Sequence, residues 1–320
     1  MCCHLMFHHF RCNKKNYKLA KKEGLTLIAL DIQGEWNLPQ LTNAAELSGA
    51  SLQYCKSGKF EALAAPTNTP FSEIRNKFSA VIACETGVKA RNIFQFPSPR
   101  GNIALVVGNE EKGIPKSVLK QCSDIVTLPM PSRSLTSVNV AASASACLYI
   151  IQRDLARQGG FQTNRRNQNI FDLAILAPED PAECGSIIRS AGAFGFRRVY
   201  LHDPFCSWFS DNREKITLSR AAARREVNPV HIKPFEELDA SGYSKVINFS
   251  RIGTGLPLSR YRMKNNGQIL ITLGFENVET ELSHIPQDDI FIDFTDSSIY
   301  PKPRHEACIA LSVLTNQIIR

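Results

Sequence analysis

Residues 104–153 constrain the fold more than any other stretch of the chain. An apolar run from Ile103 to Val107 breaks at Gly108-Asn109-Glu110, a pattern typical of a buried strand that ends in a glycine turn. A second apolar run, Ile125 to Leu128, ends at Pro129-Met130, and a polar loop leads from there to Ser137-Val138-Asn139-Val140 at the head of an alanine-rich helix. Two strands that end in neighbouring loops predict a ligand site at the edge of an α/β sheet.

These residues resemble the second and third motifs of the SpoU/TrmH family, which comprises S-adenosylmethionine-dependent RNA 2'-O-ribose methyltransferases with a trefoil-knotted α/β fold. The loop has one extra residue before Ser-x-Asn, and valine replaces the usual leucine. The resemblance implies that both motifs form the knot and wrap the cofactor, mostly with main-chain groups. It places the cofactor contacts at Gly108, Asn109, Glu110, Leu128, Met130, Val138 and Asn139.

Two of these residues also have ordinary interpretations. Asn139 is most simply a helix cap, and a cap that holds the cofactor loop serves both purposes. For Glu110 we expect an acidic side chain in the first turn of a helix, where it complements the helix dipole. A bulky side chain at Gly108 should block cofactor binding, because the backbone must approach the ligand there.

Length and composition predict two ordinary globular domains. The 320 residues exceed the usual single-domain size, and the net charge of +8 weakly favours a polyanionic partner. The ten cysteines have no paired spacing, which predicts reduced core residues in a cytoplasmic protein. No apolar run reaches the length of a membrane span, so we expect a soluble protein. The cysteines and histidines before residue 24 lack the spacing of a metal site, so we expect a disordered leader and no metal.

An internal repeat divides the chain. Strands and helices alternate from Leu25 onward, which predicts mostly parallel sheets covered by helices on both faces. Gly108 and Asn139 are 31 residues apart, as are Gly274 and His305 at corresponding places in the second half. We therefore predict a tandem duplication, with a leader over 1–24, a first domain over 25–156, a linker over 157–169 and a second domain over 170–320.

The two halves keep different parts of the family's site. The second half resembles the first motif around Arg189, the residue that the family is proposed to use in catalysis, although Glu183 replaces the leading asparagine. At the matching places the first half has Asn37 and Asn43. Conversely, the second half lacks the cofactor motifs and has His305 in place of Asn139.

In the family, one subunit of a dimer holds the cofactor and the other contributes the arginine. The resemblance therefore implies an intramolecular pseudo-dimer of two knotted domains, which acts as a monomer with one composite site. Its activity would be methylation of a ribose 2'-hydroxyl in tRNA or rRNA. The alternative is a catalytically silent RNA-binding or assembly protein on the same scaffold.

Arginine side chains carry the rest of the predicted function. Arg189 is always charged and is expected to grip a phosphate and to lower the pKa of the attacked hydroxyl. Its apolar neighbours argue against an ordinary exposed helix residue. A basic segment provides the candidate RNA contacts, for which a solvated helix face is an equally good interpretation: Arg197, Arg198, Arg220, Arg224 and Arg225.

Overall fold

A computed structural model describes most of the chain after the predicted leader. The described residues are 24–34, 36–55, 71–87, 89–161, 170–250, 255–264, 267–274, 282, 284–294 and 299–317. The predicted leader, apart from Gly24, lies outside these ranges, as does 162–169 of the predicted linker.

The first half forms a parallel sheet of six strands. Its elements are β1 (Leu25–Leu30), α1 (Asn37–Leu47), β2 (Ser51–Cys55), α2 (Phe71–Arg75), β3 (Ala80–Cys84), β4 (Arg91–Asn92), β5 (Ile103–Val107), α3 (Lys116–Leu119), β6 (Asp124–Thr127), α4 (Val140–Arg153) and α5 (Leu155–Gln158). The strand order is β2-β1-β5-β3-β6-β4, and every pairing is parallel. All residues of β1 and β5 are buried, as expected for strands covered on both faces.

The second half forms a parallel sheet of seven strands. Its elements are β7 (Phe171–Leu176), α6 (Pro181–Ala193), β8 (Arg198–His202), α7 (Arg213–Ala222), β9 (His231–Pro234), β10 (Lys245–Phe249), β11 (Leu256–Pro257), β12 (Ile269–Leu273), β13 (Gln287–Phe291) and α8 (Pro303–Thr315). The strand order is β11-β13-β10-β12-β7-β8-β9. Apart from the edge strand β9, this sheet repeats the strand order of the first. The prediction of mostly parallel α/β sheets is confirmed, whereas the knots and the duplication stay predictions.

Helices from both halves share one apolar core. α4 packs against α1 of its own half and against α8, which in turn packs against α6. Alanines at 141, 142, 144 and 146 of α4 are fully buried, and their small side chains let neighbouring helices approach closely. The core cluster runs without interruption from strands of the first sheet to strands of the second.

A buried polar cluster also joins the halves. Tyr149 on α4 donates a hydrogen bond from its hydroxyl to Asp293 Oδ1 at 2.6 Å, and Arg153 Nε lies 3.3 Å from Asp293 Oδ2. Ser259 Oγ donates to the same carboxylate at 2.7 Å. The side chains of Arg153 and Asp293 are 4% and 7% exposed, so this ion pair is almost completely removed from water.

The predicted linker begins later than residue 157. Arg157 and Gln158 belong to the short helix α5, and Phe161 stacks on Phe94 with ring centroids 5.1 Å apart. Phe161 also forms an isolated β-bridge with Gln317 near the end of α8. The chain up to Phe161 is therefore part of the folded structure. None of the described helices is long and apolar enough to cross a membrane.

Candidate active site

Three loops at the carboxyl edge of the first sheet are joined by a chain of side-chain hydrogen bonds. Glu110, after β5, accepts a hydrogen bond from Asn37 Nδ2 at 2.6 Å, and Asn37 Oδ1 accepts one from Asn139 Nδ2 at 2.9 Å. Asn139 Oδ1 accepts the backbone N–H groups of Ala141 and Ala142 and so caps α4. The two ends of each amide have different partners, which fixes the orientation of both side chains.

Glu110 differs from the sequence-based interpretation. The next helix, α3, begins only at Lys116, so Glu110 does not complement a helix dipole. Its carboxylate instead accepts the backbone N–H groups of Gln33 and Gly34, at 3.1 and 3.2 Å, in addition to Asn37. Glu110 therefore connects the loop after β5 to the loop after β1. The interpretation as a dipole residue was wrong, because the sequence did not reveal these long-range donors.

The turn after β5 is a compact hairpin. Asn109 Oδ1 accepts the backbone N–H groups of Glu111 and Lys112, both at 2.9 Å, and Asn109 Nδ2 donates to the carbonyl oxygen of Asp31 at 2.8 Å. A Cβ on Gly108 would lie 2.5 Å from the carbonyl carbon of Gly113, which has a positive φ of 65°. Gly108 is thus required because the backbone of Gly113 lies against it. The sequence analysis predicted a different reason, the approach of the backbone to a ligand.

Glu85 is a site residue that the sequence analysis missed. It follows β3, and its Oε2 accepts the backbone N–H of Ile114 at 2.7 Å, while Oε1 accepts that of Thr86 at 2.8 Å. Glu85 therefore ties the end of β3 to the hairpin after β5. A carboxylate directly after an apolar strand, in Cys84-Glu85-Thr86-Gly87, was the available signal.

The predicted cofactor loop, residues 128–139, lies beside this network. Leu128 is buried, so its side chain belongs to the core and only its main chain can face a ligand. Met130 and Val138 are partly buried and pack against the same core. Ser132 Oγ accepts the backbone N–H of Leu135 at 3.1 Å, which closes a turn within the loop.

Arg189 reaches this loop from the second half. Its Nε donates to the carbonyl oxygen of Ser137 at 2.9 Å, and its Nη2 donates to Ser137 Oγ at 2.8 Å. Burial and, to a smaller extent, the nearby charge of Arg224 lower the pKa of the Arg189 guanidinium to about 10. The group stays charged near neutral pH. The structure thus brings the predicted catalytic arginine and the predicted cofactor loop into direct contact.

Asn43 makes the corresponding contacts from the first half to the second. This residue of α1 occupies the place that Arg189 has in α6, and its Nδ2 donates to the carbonyl oxygen of Tyr300 at 3.1 Å. Its Oδ1 accepts the backbone N–H of Lys302 at 3.3 Å and lies 3.1 Å from His305 Nδ1. Each half therefore presents one side chain of its first helix to a loop of the other half, Arg189 to the loop before α4 and Asn43 to the loop before α8.

The second half has a different arrangement where the first has its asparagine–glutamate network. Glu183 Oε1 accepts a hydrogen bond of 2.8 Å from Arg304 Nε and forms an ion pair of 2.7 Å with Arg304 Nη2, and both side chains are nearly buried. His305 is completely buried, and burial, aided by the charges of Arg304 and Lys302, lowers the pKa of its imidazole to about 3. The imidazole is therefore neutral. Glu183, which pairs with Arg304, and His305 occupy the positions that Asn37 and Asn139 have in the first half.

Two of the predicted RNA-binding arginines have partners inside the fold. Arg197 and Arg198 donate from Nη2 to Oδ2 of the buried Asp172, at 3.1 and 2.7 Å. Burial raises the pKa of the Asp172 carboxyl, but hydrogen bonds from these arginines and from Tyr243 outweigh it and lower the pKa below its usual value. They neutralise Asp172, and because their side chains are 39% and 33% exposed, RNA binding by both stays a prediction. Arg220, Arg224 and Arg225 are exposed on α7 and the turn after it, and RNA binding there stays a prediction.

The comparisons with known proteins locate one family in the first half. Residues 42–149 match the model of the SpoU rRNA Methylase family. Over 68 residues the chain is 32% identical to 23S rRNA (guanosine-2'-O-)-methyltransferase RlmB from Coxiella burnetii, which corresponds to 21% of this chain and 27% of that protein. The chain thus matches about a quarter of the length of this curated relative.

Solved structures of RNA-modifying enzymes are also similar to less than half of the chain. The TrmH/SpoU tRNA modifying enzyme from A. aeolicus is 19% identical, with a TM-score of 0.38 over 44% of this chain and 79% of that one. The AdoMet-bound rRNA methyltransferase from Sinorhizobium meliloti is 18% identical, with a TM-score of 0.37 over 42% of this chain and 57% of that one.

Proposed function

We propose that this chain, a member of the SpoU/TrmH family through the domain in its first half, is an RNA methyltransferase that uses S-adenosylmethionine. Its target is a ribose 2'-hydroxyl of tRNA or rRNA, and it has one composite site per chain. The observation that carries the proposal is the contact of Arg189, from the second half, with Ser137 in the predicted cofactor loop of the first half.

The groups around the loop suit this cofactor. The main chain at residues 129–132 and 137–139 belongs to no helix or strand, and these residues are only half-buried. Such backbone groups can form hydrogen bonds with a nucleoside linked to an amino acid, and the apolar side chains of Met130 and Val138 can pack against it. S-adenosylmethionine, when bound, supplies a methyl group that its sulfonium has already activated.

The protein's own residues would then orient the hydroxyl and stabilise charge. Arg189 holds its guanidinium at the edge of the loop, where it can bind a phosphate of the RNA and stabilise the negative charge that develops on the attacked oxygen. Ser137 fixes the position of that guanidinium. Asn37, Glu110 and Asn139 keep the loops after β1 and β5 and the head of α4 at fixed separations, which preserves the shape of the site.

The second half would contribute Arg189 to the composite site and would have no cofactor site of its own. The buried pair of Glu183 with Arg304 and the neutral His305 stand where a second site would need uncharged amides. The shared strand order of the two sheets and the reciprocal contacts of Arg189 and Asn43 support two tandem knotted domains that pack as a pseudo-dimer. Such a chain would act as a monomer, and we assign it to the cytoplasm.

Calorimetry and a transfer assay test this function together. Titration with S-adenosylmethionine should give one site per chain, and total RNA from cells that lack the gene should accept labelled methyl groups on ribose. Arg189→Ala should reduce transfer at least 100-fold, while the affinity for the cofactor changes little. Ser137→Ala, which keeps the bond to the Ser137 carbonyl oxygen, serves as the mild control. Two equivalent cofactor sites, or normal transfer by Arg189→Ala, would contradict the proposal.

A silent scaffold is the second candidate. The charged pair in the second half and the asparagine at position 43 are changes that a structural or assembly role would tolerate. A chain of that kind would bind RNA but would have no reason to keep a cofactor site. RNA binding without any heat of binding for S-adenosylmethionine would therefore favour it.

A further inference from the structure

A short loop at the carboxyl end of β8 exposes two phenylalanine rings. Phe205 and Phe209 are 45% and 42% exposed, although Trp208 between them is buried. Leaving large apolar side chains in water forgoes the stabilisation that burial would give. Two such rings on one loop beside a basic helix point to a binding surface.

The loop is held in place by one carboxylate. Asp203 accepts the backbone N–H groups of Ser207, Trp208 and Phe209, each at 2.8 Å. Ser207 Oγ donates to the carbonyl oxygen of Pro178 at 2.7 Å, and Lys215 Nζ donates to that of Phe205 at 3.0 Å. Because these bonds fix the backbone at both rings, the exposure of the rings is part of the folded structure.

Positive charge continues from this loop toward the candidate active site. α7 follows the loop, spans about 15 Å, and has exposed arginines along it and in the turn after it: Arg213, Arg220, Arg224 and Arg225. α7 packs closely on α6, the helix of Arg189, since a Cβ on Gly185 would lie 2.1 Å from the carbonyl oxygen of Ser219. At the far end of α7, Arg224 is near enough for its charge to lower the pKa of Arg189.

We propose that Phe205 and Phe209 form a stacking platform for unpaired bases of the RNA substrate. The arginines of α7 contact the phosphates between this platform and Arg189. Any base can stack on an aromatic ring. Contacts between arginines and phosphates add affinity that decreases as the salt concentration rises. The length of α7 matches about four stacked nucleotides at about 3.4 Å each. The inference rests on the proposed function, because it concerns the RNA that reaches Arg189.

Phe205 also has space beside it. Its side chain borders a cavity of about 180 Å³ whose wall includes Leu176 and Pro178 at the carboxyl end of β7. A base stacked at Phe205 could extend over this apolar recess, which favours an aromatic ligand at the platform over a purely ionic one.

Binding measurements with single-stranded and duplex RNA test the platform. Fluorescence anisotropy of the full chain with a short labelled single strand should show tighter binding than with the matched duplex. Phe205→Ala/Phe209→Ala should weaken single-strand binding by about tenfold or more, and Phe205→Trp/Phe209→Trp should retain it. Leu218→Ala, which removes an exposed but non-aromatic side chain from α7, is the matched control and should bind like the unchanged protein.

The salt dependence separates stacking from charge. Arg220→Gln/Arg225→Gln should lower the slope of log affinity against log salt concentration by about 0.7 for each lost phosphate contact, whereas the alanine variant of the two rings should keep the slope. Unchanged single-strand affinity of Phe205→Ala/Phe209→Ala, or equal losses in the alanine and tryptophan variants, would overturn the platform. Methyl transfer that persists in that case would leave the proposed function standing, whereas an unchanged protein that binds no RNA would defeat both.

Discussion

The imidazole of His305 is completely buried and neutral, with Asn43 Oδ1 at 3.1 Å from Nδ1. Burial, with a smaller contribution from Arg304 and Lys302, lowers its pKa from 6.5 to about 3. Between these two values the unfolded chain binds a proton that the folded chain does not, so stability falls as the pH decreases through this window. Urea denaturation should show that His305→Asn loses less stability than the unchanged protein between pH 6.5 and 4, by up to about 1.4 kcal/mol per pH unit. Identical pH profiles would show that His305 titrates normally.

Gly108 and Gly274 end corresponding strands but have different constraints. A Cβ on Gly108 would collide with the backbone of Gly113, whereas Gly274 has a positive φ of 85° and its Cβ would lie 3.2 Å from Leu176 Cβ. Gly108→Ala should open the hairpin after β5 and abolish cofactor binding in calorimetry. Gly274→Ala should leave cofactor binding intact and cost about 1–2 kcal/mol of folding stability. Equal effects of the two substitutions on binding would mean that both halves hold cofactor.

On the scale of one helix, α1 links two loops of different halves. Its first residue, Asn37, bonds to Glu110 and Asn139 in the first half, and Asn43, six residues later, bonds to the loop before α8. Asn37→Ala should leave the partners of the lost amide unsatisfied and should weaken cofactor binding at least tenfold. Asn43→Ala is the matched control on the same helix, and it should lower stability by about 1–3 kcal/mol without changing cofactor affinity. Thermal unfolding and calorimetry of both variants separate the two roles.

The elements were predictable from sequence where burial alone determines them. The apolar runs of β1, β5, β7 and β12 are short and bounded by turn residues, and each forms a buried strand. The side-chain roles were less predictable. The partners of Glu110 come from a loop that lies 76 and 77 residues earlier in the chain, and the buried Asp172 that binds Arg197 and Arg198 lies in an otherwise apolar strand. Such pairings depend on which strands become neighbours, which local patterns do not encode.

For the whole molecule, the buried pair of Arg153 and Asp293 is one of several polar links between the halves. Asp293→Ala would leave the Arg153 charge buried without its carboxylate, which should destabilise the protein by about 3–5 kcal/mol. The ion pair of Arg91 with Asp124 is a suitable control, because its side chains are 64% and 34% exposed. Asp124→Ala should therefore cost less than about 1 kcal/mol. Guanidinium denaturation measures both, and similar losses would show that the buried pair is not important for joining the halves.

Both sheets, the core between them and the contact of Arg189 with Ser137 belong to one polypeptide. The two halves therefore associate within one molecule. Their effective concentration is set by the segment that connects them, so dilution of the protein does not change it. A site shared by two separate subunits would come apart at low enzyme concentration. With the proposed composite site, the specific activity should stay constant as the protein is diluted.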